Sequence, residues 1–560
     1  MGGTRSEQRG GPPPSLADPV PVGSDSFDPA PWCGVGDRRA RGGGRRRWSA
    51  TPVLGRRTPP RSSSAGDGRG SRFSLRRRRD DPSVGGAQRQ AGRRADPGDD
   101  ELPRDPPDDV RAARRVRVDS PPPRRGHRSR GRLVVRLSPG TPRRRWGSLE
   151  VIGSGAPGLR SSVVPRAAYR GTVSILDDAL LERFRLRAAD YDERNVFFAE
   201  DLEELRAIGY LALFVPEELG GAGLGLEQVA AEQTRLATAA PATALAINMH
   251  LVWTGVARVL RERGDDSLTH VLRDAADGHV FAFGNSEAGN DLVLFDSLTR
   301  AEPQPDGSHR FTGTKIFTSL SPAWTRLGVF GRDDSGPEPR LVHGFIDRET
   351  PGSPVAGLRV HDDWDTLGMR ATQSRTTVLD GVEVPAARMF RSLPVGPSAD
   401  PLVFAIFANF ELLIASVYLG IAQRALTLAV EAARRRTSLK AGGRPLSEDP
   451  DIRWRIADAA ILLDGLEAPL RSAAADVDGL VDRGARWFPS LVGVKIRTTE
   501  AALRIVESAV RASGGSAYSR RSELSRLYRD VLAGLFHPSD DESAHSTFAN
   551  AWLGPLPPRD

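Results

Sequence analysis

The chain changes character at residue 173. Residues 1–172 carry 37 of its 79 basic residues, every one of them arginine, against 17 of its 71 acidic residues, in a background of Pro, Gly and Ser. A segment so charged and so lacking in apolar periodicity cannot bury enough surface to offset the entropy of ordering it, so a disordered leader is expected there. The leader's net charge of +20 hides a remainder that is acidic by 12. Any folded core has to come from residues 173–560, which hold all three lysines, Lys315, Lys440 and Lys495.

Runs such as Arg76-Arg77-Arg78-Arg79 and Arg143-Arg144-Arg145 would bind phosphate backbones if displayed, which makes a nucleic-acid arm one reading of the leader. The other is translation of upstream sequence from a misassigned start. No methionine stands between Met1 and Met249, and Val173 would serve as a non-AUG start. The second reading is the expectation, and nucleic acid is not an expected partner. Cys33, the single cysteine, lies in the leader, so disulfides, cysteine-ligated zinc and thiol nucleophiles have no place in the folded part. The histidines show no metal-ligand spacing, and no secretory signal follows Met1. Leu402 to Ala422 is long and apolar enough to suggest a membrane span, but Asn409 and Glu411 stand at its centre, as in a buried bundle helix. A cytoplasmic protein with no membrane partner is expected.

Helical spacing of apolar residues recurs over Ile175–Leu186, Asp201–Ile208, Leu226–Leu236 and Thr243–Glu262, so 173–278 is expected to be an α-helical domain. The texture then becomes β-branched and aromatic, with turn signals at Pro305-Asp306-Gly307 and Asp380-Gly381, which points to a β domain over 279–397. From 398 to 560 the helical period returns in long stretches, enough for a four-helix bundle.

Two glycine patterns invite a nucleotide-binding reading. Gly153-Ser154-Gly155-Ala156-Pro157-Gly158 has the G-x-G-x-x-G form, but Pro157 and Pro165 oppose the helix the fingerprint requires, and Gly220 to Gly225 joins two helices as a surface loop. Charge burial is more informative. The helical neighbours of Glu411 at −4, −3, +3 and +4 are Phe407, Ala408, Ile414 and Ala415, so its face is apolar throughout. Desolvation there should raise its pKa and make it a candidate general base, unless it is a structural acid paired with a distant cation.

Several segments together resemble the acyl-CoA dehydrogenase family. Val215-Pro216-Glu217-Glu218-Leu219-Gly220-Gly221 is similar to its opening, and Ser286-Glu287-Ala288-Gly289-Asn290-Asp291 to its T/S-E-P-x-x-G-S-D segment shortened by two residues. Phe311 to Ser319 resembles its N-G-x-K-x-W/F-I-T/S strand, and Trp364 to Thr372 its L-G-x-R-x-S/T segment. Gly514-Gly515-Ser516-Ala517-Tyr518 and Arg529-Asp530 resemble its G-G-x-G-Y and R-D. The resemblance implies an α+β multidomain fold: an N-terminal helical domain, a middle β-barrel and a C-terminal four-helix bundle. It implies FAD between barrel and bundle, bound by Phe283, Asn285, Ser286, Asp291, Phe317, Thr318, Ser319, Gly514 and Gly515. Ser319 would meet the flavin N5 atom, and Phe317 would shield one ring face.

The family's usual base, a Glu shortly after R-D, is missing, because Pro538 takes its position in Gly534-Leu535-Phe536-His537-Pro538-Ser539-Asp540. A minority of members place the Glu on the first bundle helix, a site that Phe410-Glu411-Leu412 resembles. The resemblance then implies α,β-dehydrogenation of an acyl-CoA or other acyl thioester, with Glu411 catalytic, an electron-transferring flavoprotein as acceptor, and a homodimer or homotetramer. A flavin-dependent monooxygenase of the same fold is the alternative, since it needs no such Glu. A nucleic-acid-binding protein acting through the leader is the alternative of another class.

Overall fold

The computed structural model describes residues 174–557 except 293. The leader, with its expected disorder and its G-x-G-x-x-G pattern, lies outside the described residues. Five helices come first: α1 (Asp178–Arg194), α2 (Ala199–Ala207), α3 (Leu226–Ala237), α4 (Pro241–Glu262) and α5 (Thr269–Ala276). The expected start of α1 moves from Ile175 to Asp178, because the Asp177 side chain caps the helix by accepting from the Leu180 N–H at 2.6 Å. Asn195, left-handed at φ 54°, ends it. Helix α4 is mostly apolar and buried on every side from Pro241 to Leu260, apart from a partly exposed Ala242. A helix of that kind belongs to the centre of a domain rather than its surface.

Eight strands follow: β1 (Phe281–Gly284), β2 (Arg300–Pro303), β3 (His309–Thr318), β4 (Arg326–Asp333), β5 (Arg340–Asp347), β6 (Leu358–Val360), β7 (Arg375–Val384) and β8 (Met389–Pro394). Their order is β6-β7-β3-β2-β4-β5-β8, with β1 parallel on β4. The ladder ends at β6 and β8 without pairing them, so among the described residues the expected barrel is an open sheet. Pro305-Asp306-Gly307 makes the expected β2–β3 turn, with Gly307 at φ +84°. Asp380-Gly381 does not turn the chain. It lies inside β7 as a bulge, where the register on β3 shifts between Phe311 and Gly313 and Gly381 takes φ +66°. One sheet face carries Phe281, Phe330, Leu341 and Phe345 into the main core with the helices, and the other carries Phe311, Trp324, Leu327 and Val382 into a small separate core.

Where four C-terminal helices were expected, six are found: α6 (Pro401–Arg435), α7 (Pro450–Asp464), α8 (Glu467–Asp478), α9 (Trp487–Ser513), α10 (Glu523–Val531) and α11 (Asp541–Leu553). Gly465-Leu466 separates α7 from α8, and the expected final helix is split by the short 3-10 turn Leu532–Leu535. Helix α6, about 50 Å long at 1.5 Å per residue, packs against α3, α4 and α9. Helices α4 and α6 are both long and apolar enough to cross a membrane, and both are buried within the fold.

Candidate functional site

The face of the sheet that meets α4 and α6 ends in a set of bent, polar segments. The Ile316 N–H donates to the Ser286 carbonyl at 2.9 Å, which sets the end of β1 beside the end of β3. The register of β3 on β7 shifts between Lys315 and Thr318, and Phe317 adopts φ 56°. An aromatic residue gains nothing locally from that conformation, which costs on the order of 1–3 kcal/mol and persists only where the surroundings impose it. It turns the Phe317 ring out of the sheet, 55% exposed, with its edge toward Trp364.

Strain is concentrated here. Of the seven non-glycine residues with positive φ among those described, Phe317, Leu320, Met369 and Gln373 belong to these segments. Asn195 accepts from Gln373 and donates to the Trp364 carbonyl. Leu480 and Ser539, the latter bonded to Glu411 in the bundle, are elsewhere.

The hydroxyls of Ser319, Ser374 and Thr372 form a chain with 2.7 Å links, and Thr372 donates onward to the Met369 carbonyl. Asn285 is almost fully buried, yet both its amide nitrogen and its amide oxygen lack a partner. The Thr318 hydroxyl is equally unpartnered. Buried polar groups are rarely left so, and three orphaned atoms beside a hydroxyl chain mark a place where a polar ligand completes the hydrogen bonding. Phe283 precedes Asn285 on the same side of its strand by the two-residue period and stacks on Phe410 of α6.

The other residues expected at this site fall into two groups. Ser286, part-buried, faces the cleft edge through its backbone, whereas Asp291 is exposed at the end of the following loop with no hydrogen bond to the site. Gly514 (φ +69°) and Gly515 end α9 beside Tyr518, which is 92% exposed. Within one chain they do not meet the Phe317 and Asn285 group.

Glu287 has a structural part. Its carboxylate accepts from the Lys315 ammonium at 2.7 Å, from the hydroxyls of Ser297 and Thr299, from the backbone N–H groups of Leu298 and Thr299 and from the Asn290 amide. Burial opposes its ionisation, but the Lys315 charge and these donors outweigh that and bring it down to about 2. The loop from Ser286 to Thr299 is tied to this one side chain.

Glu411 is fully buried in the bundle. Oε1 accepts from the Ser539 hydroxyl at 2.5 Å, and Oε2 has no partner. Burial pushes its pKa up to about 7, against the Ser539 hydrogen bond and the nearby charge of Lys495. Lys495 does not ion-pair with it. Its buried ammonium donates instead to the carbonyls of Gly534, His537 and Ser539, at 3.3, 3.1 and 2.9 Å. That cation holds the segment in which the family's usual base would stand. His537, within it, is half-buried and hydrogen-bonded through Nε2 to the Tyr418 hydroxyl at 2.8 Å. Burial, helped by Lys495, lowers the imidazole to about 3, and burial also raises Tyr418 well above its ordinary value. Both are therefore neutral, and one donates to the other across this contact. Asp540 caps α11 by accepting from the Ser543 N–H. Asp530 accepts from the Met369 N–H at 2.6 Å, which joins the Trp364–Thr372 segment to α10.

Two family models match the chain, the N-terminal domain of acyl-CoA dehydrogenase over residues 176–270 and the C-terminal domain over 412–541. The putative acyl-CoA dehydrogenase YdbM of Bacillus subtilis is 30% identical over 394 residues, which span 67% of this chain and 94% of that protein. The chain belongs to the acyl-CoA dehydrogenase family. The chain is also similar to a nitrososynthase and a monooxygenase. The L-evernosamine nitrososynthase of a Micromonospora species is 32% identical over 68% of this chain and 89% of its own length, and the dibenzothiophene monooxygenase of Rhodococcus erythropolis 29% over 68% and 92%. Among solved structures, KijD3 in complex with FMN and a dTDP-linked amino keto sugar aligns with a TM-score of 0.61 at 27% identity, over 71% of this chain and 97% of that one.

Sequence reasoning named the Phe317 to Ser319 strand and Glu411 but missed the Thr372 and Ser374 hydroxyls, Lys495 and Ser539. The Phe404, Phe407, Phe410 spacing of three was legible as one helical face and went unread.

Proposed function

We propose that this member of the family is a flavin-dependent monooxygenase rather than a dehydrogenase of acyl thioesters. The observation that carries the reading is that neither of the family's two positions for the base offers an accessible carboxylate. Glu411 has no exposed surface and is engaged by Ser539, and the position of the family's usual base lies in a segment that offers the neutral imidazole of His537. Abstraction of an α proton needs a base within hydrogen-bond reach of the substrate carbon. Oxygenation does not. The nitrososynthase and the dibenzothiophene monooxygenase among the relatives support the same reading.

The orphaned Asn285 amide, the Thr318 hydroxyl and the Ser319–Ser374–Thr372 chain fit the polar rim of an isoalloxazine, and Phe317 fits its face. FMN, present in the KijD3 complex, is the form proposed in place of FAD. When bound and reduced, the flavin supplies two electrons to molecular oxygen, so that one oxygen atom enters the substrate and the other leaves as water. The chain's own residues orient and dry the site. Asn285 offers its amide nitrogen as donor and its amide oxygen as acceptor, Phe317 and Phe283 exclude water, and His537, held by Tyr418, supplies a neutral imidazole in the segment of the family's usual base. Electrons would come from a separate flavin reductase, so an electron-transferring flavoprotein has no part.

Assembly into C2-related dimers or tetramers is proposed as well, because Trp454, Ile461 and Tyr518 expose large apolar surfaces on α7 and beside Gly514-Gly515. The functional reading is tested by loading the protein with FMN, supplying a flavin reductase and NADH under labelled oxygen, and screening heteroatom-containing substrates for incorporated label. Label in a product at wild-type rate, reduced about 10²-fold or more in His537→Phe, is expected. Dehydrogenated acyl-CoA without label would contradict it.

A further inference from the structure

The hydroxyls of Thr372, Ser374 and Ser319 stand in a row, and each has a single proton to donate. Their direction follows from the inner end of the row. Thr372 Oγ1 lies 2.9 Å from the Met369 carbonyl oxygen, which has no proton of its own, so Thr372 donates there. In its 2.7 Å contact with Ser374, Thr372 therefore accepts. Ser374 has then spent its proton, and in its other 2.7 Å contact it accepts from Ser319. Ser319, which closes the row next to Phe317 and Thr318, is left with lone pairs and no proton to offer.

Helix α10 fixes the start of this row. Met369 at φ 52° and Gln373 at φ 45° bracket the short turn Arg370–Thr372, and such conformations persist only where neighbours impose them. The Met369 N–H donates to the Asp530 carboxylate at 2.6 Å, and Arg529 donates to the Leu367 carbonyl at 2.9 Å. Between these two bonds Gly368 lies so close to α10 that a Cβ would stand 2.2 Å from the Arg529 carbonyl oxygen. The Met369 carbonyl also accepts from the Thr372 N–H at 3.1 Å and from the Trp364 indole at 3.3 Å, which holds its orientation.

The other polar groups at the site carry no such bias. Asn285 has both a donor and an acceptor unpartnered, and the unpartnered Thr318 hydroxyl can serve as either. An oxidised isoalloxazine has one ring N–H and otherwise acceptors on its polar rim, and two-electron reduction adds two more N–H groups. A lone pair held against that rim gains a hydrogen bond from an added N–H and faces another lone pair without it. Resting on the reading of this cleft as a flavin site, and deepening it, we propose that Ser319, held as an acceptor by Ser374 and Thr372, makes the protein bind reduced FMN in preference to oxidised FMN. The preference suits an enzyme whose flavin arrives already reduced from a separate reductase.

The test is an anaerobic redox titration of the full-length, FMN-loaded protein, comparing the midpoint potential of bound FMN with that of free FMN. Reduced FMN should bind about tenfold tighter than oxidised FMN, which places the bound midpoint about 30 mV above the free one. Thr372→Val keeps the side-chain shape and removes the hydroxyl, so Ser374 can donate to Ser319, Ser319 can donate outward, and the midpoint should fall to that of free FMN or below. Ser374→Ala releases Ser319 in the same way if the valine variant does not fold. Thr372→Ser keeps the relay and should keep the wild-type midpoint. Added to Ser319→Ala, Thr372→Val should shift the midpoint no further, because the relay acts only through Ser319. Equal affinity for the two forms in the wild type, or a midpoint unmoved in both Thr372→Val and Ser374→Ala, would overturn the proposal. A wild-type protein that binds no flavin would overturn the flavin site and the proposal together. A preference for reduced FMN that is lost in Thr372→Val, with no labelled product from any substrate, would support the proposal and remove the oxygenation reading alone.

Discussion

The sheet and the bundle each bury one glutamate near one lysine, and the two pairs behave in opposite ways. In the sheet, Lys315 touches Glu287 at 2.7 Å and five further donors complete the carboxylate, so it remains charged in a dry core. In the bundle, Lys495 spends its donors on three backbone carbonyls, and Glu411 is left with one hydroxyl and an unpartnered oxygen. Contact decides the outcome: a cation alongside holds Glu287 at about 2, while a cation turned elsewhere leaves Glu411 at about 7. A buried carboxylate with a raised pKa is thus no sign of a base. It arises equally from a core acid that nothing has paid to ionise, and reactivity requires an open path to the substrate as well.

The contrast is broken most severely at Glu287. Replacing it by alanine strands the Lys315 ammonium and releases the 286–299 loop, so a loss of about 3–5 kcal/mol in chemical denaturation is expected, with loss of FMN retention. Stability within about 1 kcal/mol of wild type would refute the role given to this pair. Lys495→Met should cost less, about 1–3 kcal/mol, since it frees backbone carbonyls and strands no opposite charge in contact, and it should lower turnover by displacing His537. Unchanged turnover would mean that Lys495 does not position that segment.

The most diagnostic effect is a pH dependence. Glu411 has a folded pKa of about 7 against an ordinary 4.5, so the native state binds the extra proton and stability falls as pH rises from about 4.5 to about 7, then levels off. Glu287 has the opposite sign, because its stabilisation is present above 4.5 and is lost as pH falls toward about 2. Glu411→Gln should make the first window shallower, leaving the share of the buried Asp201 and Asp530, both raised to about 6, and should not alter the second. An unaltered stability profile over pH 4.5–7 in that variant would contradict the burial of Glu411.

Much of the fold was legible because its signals are local. The α4 and α6 apolar runs and the change to β-branched residues after 279 each act within a few residues. The open sheet, the bulge at Gly381 and the break at Gly465 were not legible, since all depend on which strands or helices lie alongside. At the site, the Phe317 to Ser319 strand could be named from its motif, and the apolar surroundings of Glu411 from helical spacing. What escaped was long-range: Ser539 reaching Glu411 from 128 residues away, and Lys495 choosing carbonyls over the carboxylate. Spacing can say that an acid is buried, but only the fold says whether anything reaches it.

The central claim is that this family member uses oxygen and has no accessible dehydrogenase base. Mixing the FMN- or FAD-loaded protein anaerobically with acyl-CoAs of varied chain length and branching, and following the flavin absorbance, tests it most directly. The account predicts that none bleaches the flavin, that Glu411→Gln behaves identically, and that chemically reduced protein is rapidly reoxidised when oxygen is admitted. Anaerobic bleaching by an acyl-CoA, abolished in Glu411→Gln, would contradict it and restore Glu411 as the base of a dehydrogenase.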